Sequence, residues 1–159
     1  MRQLVALFLL ILSASFFPGV HAQQTRQPTF IVIMADDLGY GDLGIYGSTL
    51  LKTPNLDRMA SEGARLDSFY SSANVCTAAR GGLLTGRYPI RLDIVSDVAR
   101  PTNDVHLADE ELSLAEALKP LGYQTALFGK WHLGSKLEWS PLTQGFDDYF
   151  GVLHSNDMT

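Results

Sequence analysis

The sequence contains a single cysteine, Cys76, so no disulfide can form within the chain. Basic residues are also scarce: 12 Lys and Arg stand against 17 Asp and Glu, a formal net charge of -5. Without an overall basic field, charge gathers neither nucleic acid nor an anionic lipid surface, and any anionic ligand must be held by local cations. Repeats, low-complexity tracts and EF-hand spacing are all missing. The N-terminal apolar run, Leu4 to Phe17, is shorter than the roughly 20 residues of a membrane-spanning helix. What remains is ordinary globular composition, 46% hydrophobic and 18% charged over 159 residues, which excludes disorder, collagen and a polytopic membrane protein.

Met1, Arg2 and Gln3 precede that apolar run, and Pro18, Gly19 and Val20-His21-Ala22 follow it. The small or aliphatic residues at the first and third of those last positions suit signal peptidase. This predicts a signal peptide over residues 1–22 and a secreted or periplasmic protein with no stable membrane insertion.

Downstream, strand and helix patterns alternate. Phe30-Ile31-Val32-Ile33-Met34-Ala35 reads as a strand covered on both faces, as in a parallel sheet. Thr53-Pro54 predicts an N-cap and first helical position, with Leu56, Met59 and Ala60 on one face and Gly63 as the stop. Ala64 to Tyr70 reads as a second strand, and Val75 to Leu84 as a helix that ends at Gly86. Ser113-Leu114-Ala115-Glu116 is a capping box whose helix Pro120 and Gly122 close, before a strand over Tyr123 to Phe128. Arg87 to Asp109, with Pro89 and Pro101, reads as a long irregular loop suited to shaping a substrate pocket. The alternation predicts an α/β fold with a largely parallel sheet flanked by helices, whose ligands gather beyond the carboxyl ends of the strands.

Three polar clusters lie at those strand ends. Asp36 and Asp37 can converge on one ion only if the strand breaks there, which Leu38-Gly39-Tyr40-Gly41 permits. Two hard oxygen donors suit Ca²⁺ or Mg²⁺, and an acidic turn fits the same pair. The overlapping Gly39-Tyr40-Gly41-Asp42-Leu43-Gly44 matches a dinucleotide fingerprint, but Gly47, Ser48, Thr49 and Pro54 make the following stretch a poor helix, and the two aspartates would repel phosphates. Cys76 opens a helix one turn ahead of Arg80, which suits either a nucleophile or an anion grip, while a buried apolar cysteine is the plainer alternative. Lys130 and His132 share one side if the chain stays extended, placing a cation and a proton carrier at one pocket; a surface lysine and a structural histidine remain open.

Between about Thr29 and Gly151 the chain resembles the formylglycine-dependent, arylsulfatase-like sulfatase family. The motifs are Ile33 to Asp42, Thr53-Pro54-Asn55-Leu56-Asp57, Cys76-Thr77-Ala78-Ala79-Arg80 with Leu84 to Pro89, and Gly122 to His132; Gly145 to Gly151 is a further similar stretch. Ala78 and Ala79 stand where the family usually has proline and serine. The resemblance implies an alkaline-phosphatase-like α/β fold and hydrolysis of sulfate esters, aryl or carbohydrate. It implies that a separate formylglycine-generating enzyme oxidises Cys76 to formylglycine, whose hydrate supplies the attacking hydroxyl. Its second hydroxyl then lets the sulfated intermediate expel sulfate and restore the aldehyde.

By the same resemblance Asp36 and Asp37 bind a divalent ion, Ca²⁺ first and Mg²⁺ second, that also touches the group derived from Cys76. Arg80 holds the hydrate, Lys130 the sulfate oxygens, and His132 hydrogen-bonds the hydrate. Metal, lysine and arginine preset around the sulfuryl group would stabilise charge moving onto its oxygens and the leaving oxygen. Family members usually run to several hundred residues, so residues 23–159 are expected to be the N-terminal part of the catalytic domain, without the later metal ligands and leaving-group acid. The alternatives are a non-catalytic remnant that binds anions and a phosphodiester or phosphonate hydrolase on the same fold.

Overall fold

The computed structural model describes residues 27–94 and 97–155. The predicted signal peptide lies outside the described residues. Contacts divide the chain into two compact units, Met1–Ala35 and Asp36–Thr159. In the first, Phe30 to Ala35 belongs to no strand and stays exposed, with Ile31 at 80% exposure. The predicted strand is therefore corrected. Its composition selects extended backbone, but a strand exists only where a neighbour supplies the hydrogen-bond ladder.

The second unit opens with the glycine-rich stretch, which forms two 3₁₀ turns, Tyr40–Asp42 and Gly44–Tyr46. The Gly39 N–H donates to the Asp42 carboxylate at 2.7 Å. Helix α1 spans Pro54–Glu62, with proline at its first position as predicted. Thr53 does not cap this helix with its side chain. Its hydroxyl accepts from the Gly44 N–H at 2.8 Å and donates to Asp57 at 2.9 Å, and Asp57 also accepts from the Ile45 N–H at 2.8 Å. The backbone donors that a dinucleotide phosphate would need are thus engaged by the start of α1. Residues 64–70, also predicted as a strand, are exposed and turn at 67–68.

Helix α2 spans Cys76–Thr85 and ends on Gly86, whose left-handed φ of 67° brings its N–H onto the Gly82 carbonyl. Its buried face is small: Thr77, Ala78, Ala79, Gly81 and Gly82. A Cβ on Gly81 would lie 3.1 Å from Leu92, so the missing side chain lets the helix sit directly on the core. That core joins Ala78, Leu92, Ile94, Leu107, Trp131 and Leu133. Leu92, Ile94 and Leu107 come from the segment predicted as a pocket-shaping loop. Apart from a 3₁₀ turn at Pro89–Arg91 that segment is irregular in its described part, but it supplies interior packing.

Helix α3 spans Leu114–Leu118 and carries the predicted capping box, with Glu116 N–H to Ser113 at 3.1 Å and Ser113 N–H to Glu116 at 2.8 Å. The Ser113 hydroxyl, fully buried, also donates to the Gln144 carbonyl at 2.7 Å. A 3₁₀ turn at Lys119–Leu121 continues the helix until Gly122, at φ 83°. Strand β1 is Ala126–Lys130 and pairs in parallel with β2, Asp148–Val152, in the register Ala126 to Asp148 through Lys130 to Val152. β1 starts later than predicted because Thr125 bonds the turn before β2, through Asp147 N–H at 2.8 Å and the Asp147 carboxylate at 2.9 Å. The pairing continues past β1, with Trp131 and His132 N–H groups donating to Val152 and Leu153 carbonyls at 2.9 Å each. Burial of Trp131 and Leu133 beside this ladder contributes about 1.5–3 kcal/mol each.

Gly151 faces Gly129 across the ladder, and a Cβ there would collide with the Gly129 carbonyl. Gly151→Ala is expected to cost about 1–3 kcal/mol, read as a lower urea midpoint with unchanged slope. An unaltered midpoint would mean that the two strands do not approach this closely.

Candidate active site

The chain breaks at Asp37, which takes a left-handed φ of 57°. This is the break that the paired aspartates require, and it leaves Asp36 facing two cations. Lys130 Nζ donates to one Asp36 oxygen at 2.9 Å and Arg80 Nη2 to the other at 3.2 Å. Arg80 Nη1 also donates to the Lys130 carbonyl at 2.7 Å. The second turn of α2, the helix that Cys76 opens, delivers Arg80, and the last residue of β1 delivers Lys130. Three segments far apart in sequence therefore meet at one carboxylate.

The cations are largely withdrawn from water, with side-chain exposures of 12% for Arg80 and 14% for Lys130, while Asp36 keeps 43%. The Lys130 hydrogen bond, with a smaller contribution from Arg80, holds the Asp36 carboxyl below its usual range against the opposing cost of burial. Arg80 Nε is buried with no hydrogen-bond partner. An unmet guanidinium donor beside a lysine is the half of a site that an oxyanion completes.

His132 is fully buried; the Ala99 backbone lies near its ring, but neither ring nitrogen has a well-formed hydrogen bond. Burial first, and then the Lys130 and Arg80 charges, push its pKa down to about 4, although the Ala99 backbone and Asp36 favour the charged ring. The imidazole is neutral at neutral pH. The expected extended geometry does not hold: His132 takes a left-handed φ of 60°. The side chains of Lys130 and His132 therefore cannot be related by strand alternation, and their proximity arises from the turn out of β1.

Asp36 and Asp37 fit a hard divalent cation in kind but not in number, since Ca²⁺ takes six to eight oxygens. Among the described residues no group of three or more His, Cys, Asp or Glu could hold a metal ion. Asp36 instead has both oxygens on cations. Cys76 is half-buried at the first position of α2. Sequence reasoning overlooked Thr77, which is fully buried and accepts from the Ala99 N–H at 3.0 Å, tying the segment after residue 96 to the Cys76 turn. A threonine beside a cysteine carries no sequence signal for that tie.

Two partly buried cations thus share one carboxylate, and Cys76 starts the helix that carries one of them. The sulfatase family model matches residues 28–159. The chain is 44% identical to arylsulfatase G of Mus musculus over 151 residues, which covers 92% of this chain and 29% of that protein. Its identity to N-acetylgalactosamine-6-sulfatase of Canis lupus familiaris is 43% over 150 residues, covering 90% and 28%. Among solved structures, PsFucS1 sulfatase from Pseudoalteromonas sp. matches with a TM-score of 0.76 at 37% identity, covering 93% of this chain and 30% of that one. The chain belongs to the sulfatase family, and its fold is the alkaline-phosphatase-like α/β type of those neighbours. It spans under a third of the length of these relatives. Among the described residues, no helix is long and apolar enough to cross a membrane.

The depressed His132 pKa has a defined consequence for stability. The unfolded imidazole, near 6.5, takes its proton before the folded one, near 4, so stability present above pH 6.5 is lost as pH falls through that window. The imidazole resonances of His132 are expected to titrate with a midpoint near 4, and His132→Asn is expected to flatten the fall in unfolding free energy between those pH values. A midpoint near 6.5 would show that the ring is solvated.

Proposed function

We propose that the complete protein is exported and hydrolyses sulfate esters, aryl or carbohydrate, through a hydrated formylglycine made from Cys76. The observation that carries this reading is the convergence of Arg80 and Lys130, with an unmet Arg80 donor, one helical turn from Cys76. Relatives named as arylsulfatases and an N-acetylgalactosamine-6-sulfatase support the substrate class. Export rests on the sequence of residues 1–22.

In this assignment Lys130 holds sulfuryl oxygens and Arg80 orients the attacking hydrate. Both cations are preset by packing, so little reorganisation accompanies the build-up of charge in the transition state. Neutral His132 accepts a hydroxyl proton of the hydrate. The anion bound on Lys130 and Arg80 would offset the two charges that depress the ring, making it a better base when the sulfate group is in place. Asp36 and Asp37 would contribute carboxylates to a divalent ion, Ca²⁺ before Mg²⁺, whose charge would polarise the sulfuryl oxygens when bound. A formylglycine-generating enzyme is the required partner.

Co-expression with that enzyme is expected to convert the Cys76 thiol to an aldehyde, seen as a changed peptide mass and reactivity toward hydrazides. The complete protein is then expected to turn over sulfate esters in preference to phosphate esters. Cys76→Ala abolishes that turnover, and Arg80→Ala lowers it by about 10²-fold or more. A Cys76 peptide that remains a thiol throughout, or a preference for phosphate esters, would overturn the assignment.

A further inference from the structure

We propose that Thr77 is a positioning residue for His132: its hydroxyl fixes the Ala99 peptide, and the Ala99 carbonyl selects the tautomer in which the ring nitrogen facing it carries the proton. The other nitrogen then keeps its lone pair. The tautomer follows from this chain alone; its catalytic consequence rests on the assignment of His132 as acceptor of a hydrate proton.

The contacts form a buried chain across three segments. Thr77 follows Cys76 in the first turn of α2, is fully buried, and accepts from the Ala99 N–H at 3.0 Å. Ala99 is itself fully buried, and its backbone lies near the His132 ring. Its N–H is directed to Thr77, and only an acceptor favours a proton on an imidazole, so the Ala99 group that faces the ring is the carbonyl. Lys130 and Arg80 side chains are donors only, and Asp36 acts on the ring through charge rather than a hydrogen bond. In a neutral imidazole withdrawn from water, the partner of one nitrogen decides which of the two is protonated.

The second argument is how that carbonyl is held. Residues 97–107 form no helix or strand, so no backbone ladder of their own fixes the Ala99 peptide. Two ties act further along the segment: the Ser135 hydroxyl donates to the Arg100 carbonyl at 2.9 Å, and the Leu107 N–H to the Leu133 carbonyl at 3.1 Å. Thr77 alone holds the Ala99 N–H, and it does so from a helix packed on the core. The ring is fixed from its own side, because the His132 N–H bonds the Leu153 carbonyl at 2.9 Å. Loss of the Thr77 acceptor would therefore release the carbonyl while leaving the ring in place.

The test is nitrogen-15 NMR of the His132 ring in the 159-residue chain at neutral pH. In the unaltered chain the two ring nitrogens are expected to show fully separated shifts, one protonated and one bare. Thr77→Val keeps the shape and removes the acceptor; it is expected to draw the two shifts together as the tautomers mix, and Thr77→Ser is expected to keep them apart. Ser135→Ala loosens the same segment away from the Ala99 N–H and is expected to leave them apart. In the complete protein, with rates taken per aldehyde formed at Cys76, Thr77→Val is expected to lower kcat about tenfold with KM unchanged, and Thr77→Ser to restore it. Thr77→Ala replaces Thr77→Val if the latter loses cooperative unfolding.

Averaged nitrogen shifts in the unaltered chain would overturn the proposal whatever the variants do. So would shifts that ignore the loss of the Thr77 hydroxyl, or equal mixing in Ser135→Ala, which would mark general loosening. Mixed shifts with unchanged kcat would reject the catalytic consequence. A tautomer that Thr77 controls in a complete protein without sulfate-ester turnover rejects the sulfatase assignment only, and turnover with a tautomer indifferent to Thr77 rejects the positioning role only.

Discussion

The carboxylate of Asp36, held between Lys130 and Arg80, is the contact on which the architecture of the site depends. Its partners lie 94 and 44 residues away in sequence, one closing β1 and one in the first half of α2. Because both cations are nearly withdrawn from water, removal of the carboxylate would leave two poorly solvated positive charges side by side, a far larger penalty than loss of a surface ion pair. The anchoring of Arg80 on the Lys130 carbonyl makes the arrangement rigid as well as neutralised. The strand end, the helix start and the residue that enters the second unit are thereby locked together.

Backbone strain frames this contact. Asp37 follows Asp36 with φ 57°, and His132 follows the end of β1 with φ 60°, both in a region that residues with a Cβ avoid. Such conformations cost about 1 kcal/mol or more and persist only where surrounding bonds over-determine them. For His132 the determinants are visible: its N–H extends the ladder to Leu153, and the adjacent Trp131 is buried with its indole N–H on the Trp139 carbonyl at 2.7 Å. The turn buries the imidazole beside the cations, and that burial keeps it neutral.

A second set of polar contacts holds the glycine-rich stretch that follows Asp37. Thr53 and Asp57 capture the Gly44 and Ile45 N–H groups, so Thr53-Pro54-Asn55-Leu56-Asp57 acts as a unit: proline starts the helix, and the flanking polar side chains reach back. A glycine pattern that reads as a phosphate cradle is closed by its own chain. The tie between Thr77 and Ala99 plays the same part on the other side of Cys76.

Local chemistry was legible in the sequence. Proline at the start of α1, the Ser113 and Glu116 capping box, the left-handed glycines at 86 and 122 and the position of Cys76 at the head of α2 all follow from interactions within a few residues. The family motifs also marked Asp36, Asp37, Cys76, Arg80, Lys130 and His132 as a set, of which Asp36, Arg80 and Lys130 are joined by hydrogen bonds in the structure. The strands were less legible. Phe30 to Ala35 and Ala64 to Tyr70 have strand composition without strand structure, and β2 was not foreseen, because a strand is defined by a partner that lies elsewhere in the chain. Only tertiary structure decided that Asp36 pairs with two cations, that His132 is turned and neutral, and that the irregular segment after Arg87 supplies core. Each depends on which distant groups share a small, partly desolvated volume, and charge and hydrogen bonding act there through distance and solvent exclusion rather than through sequence spacing.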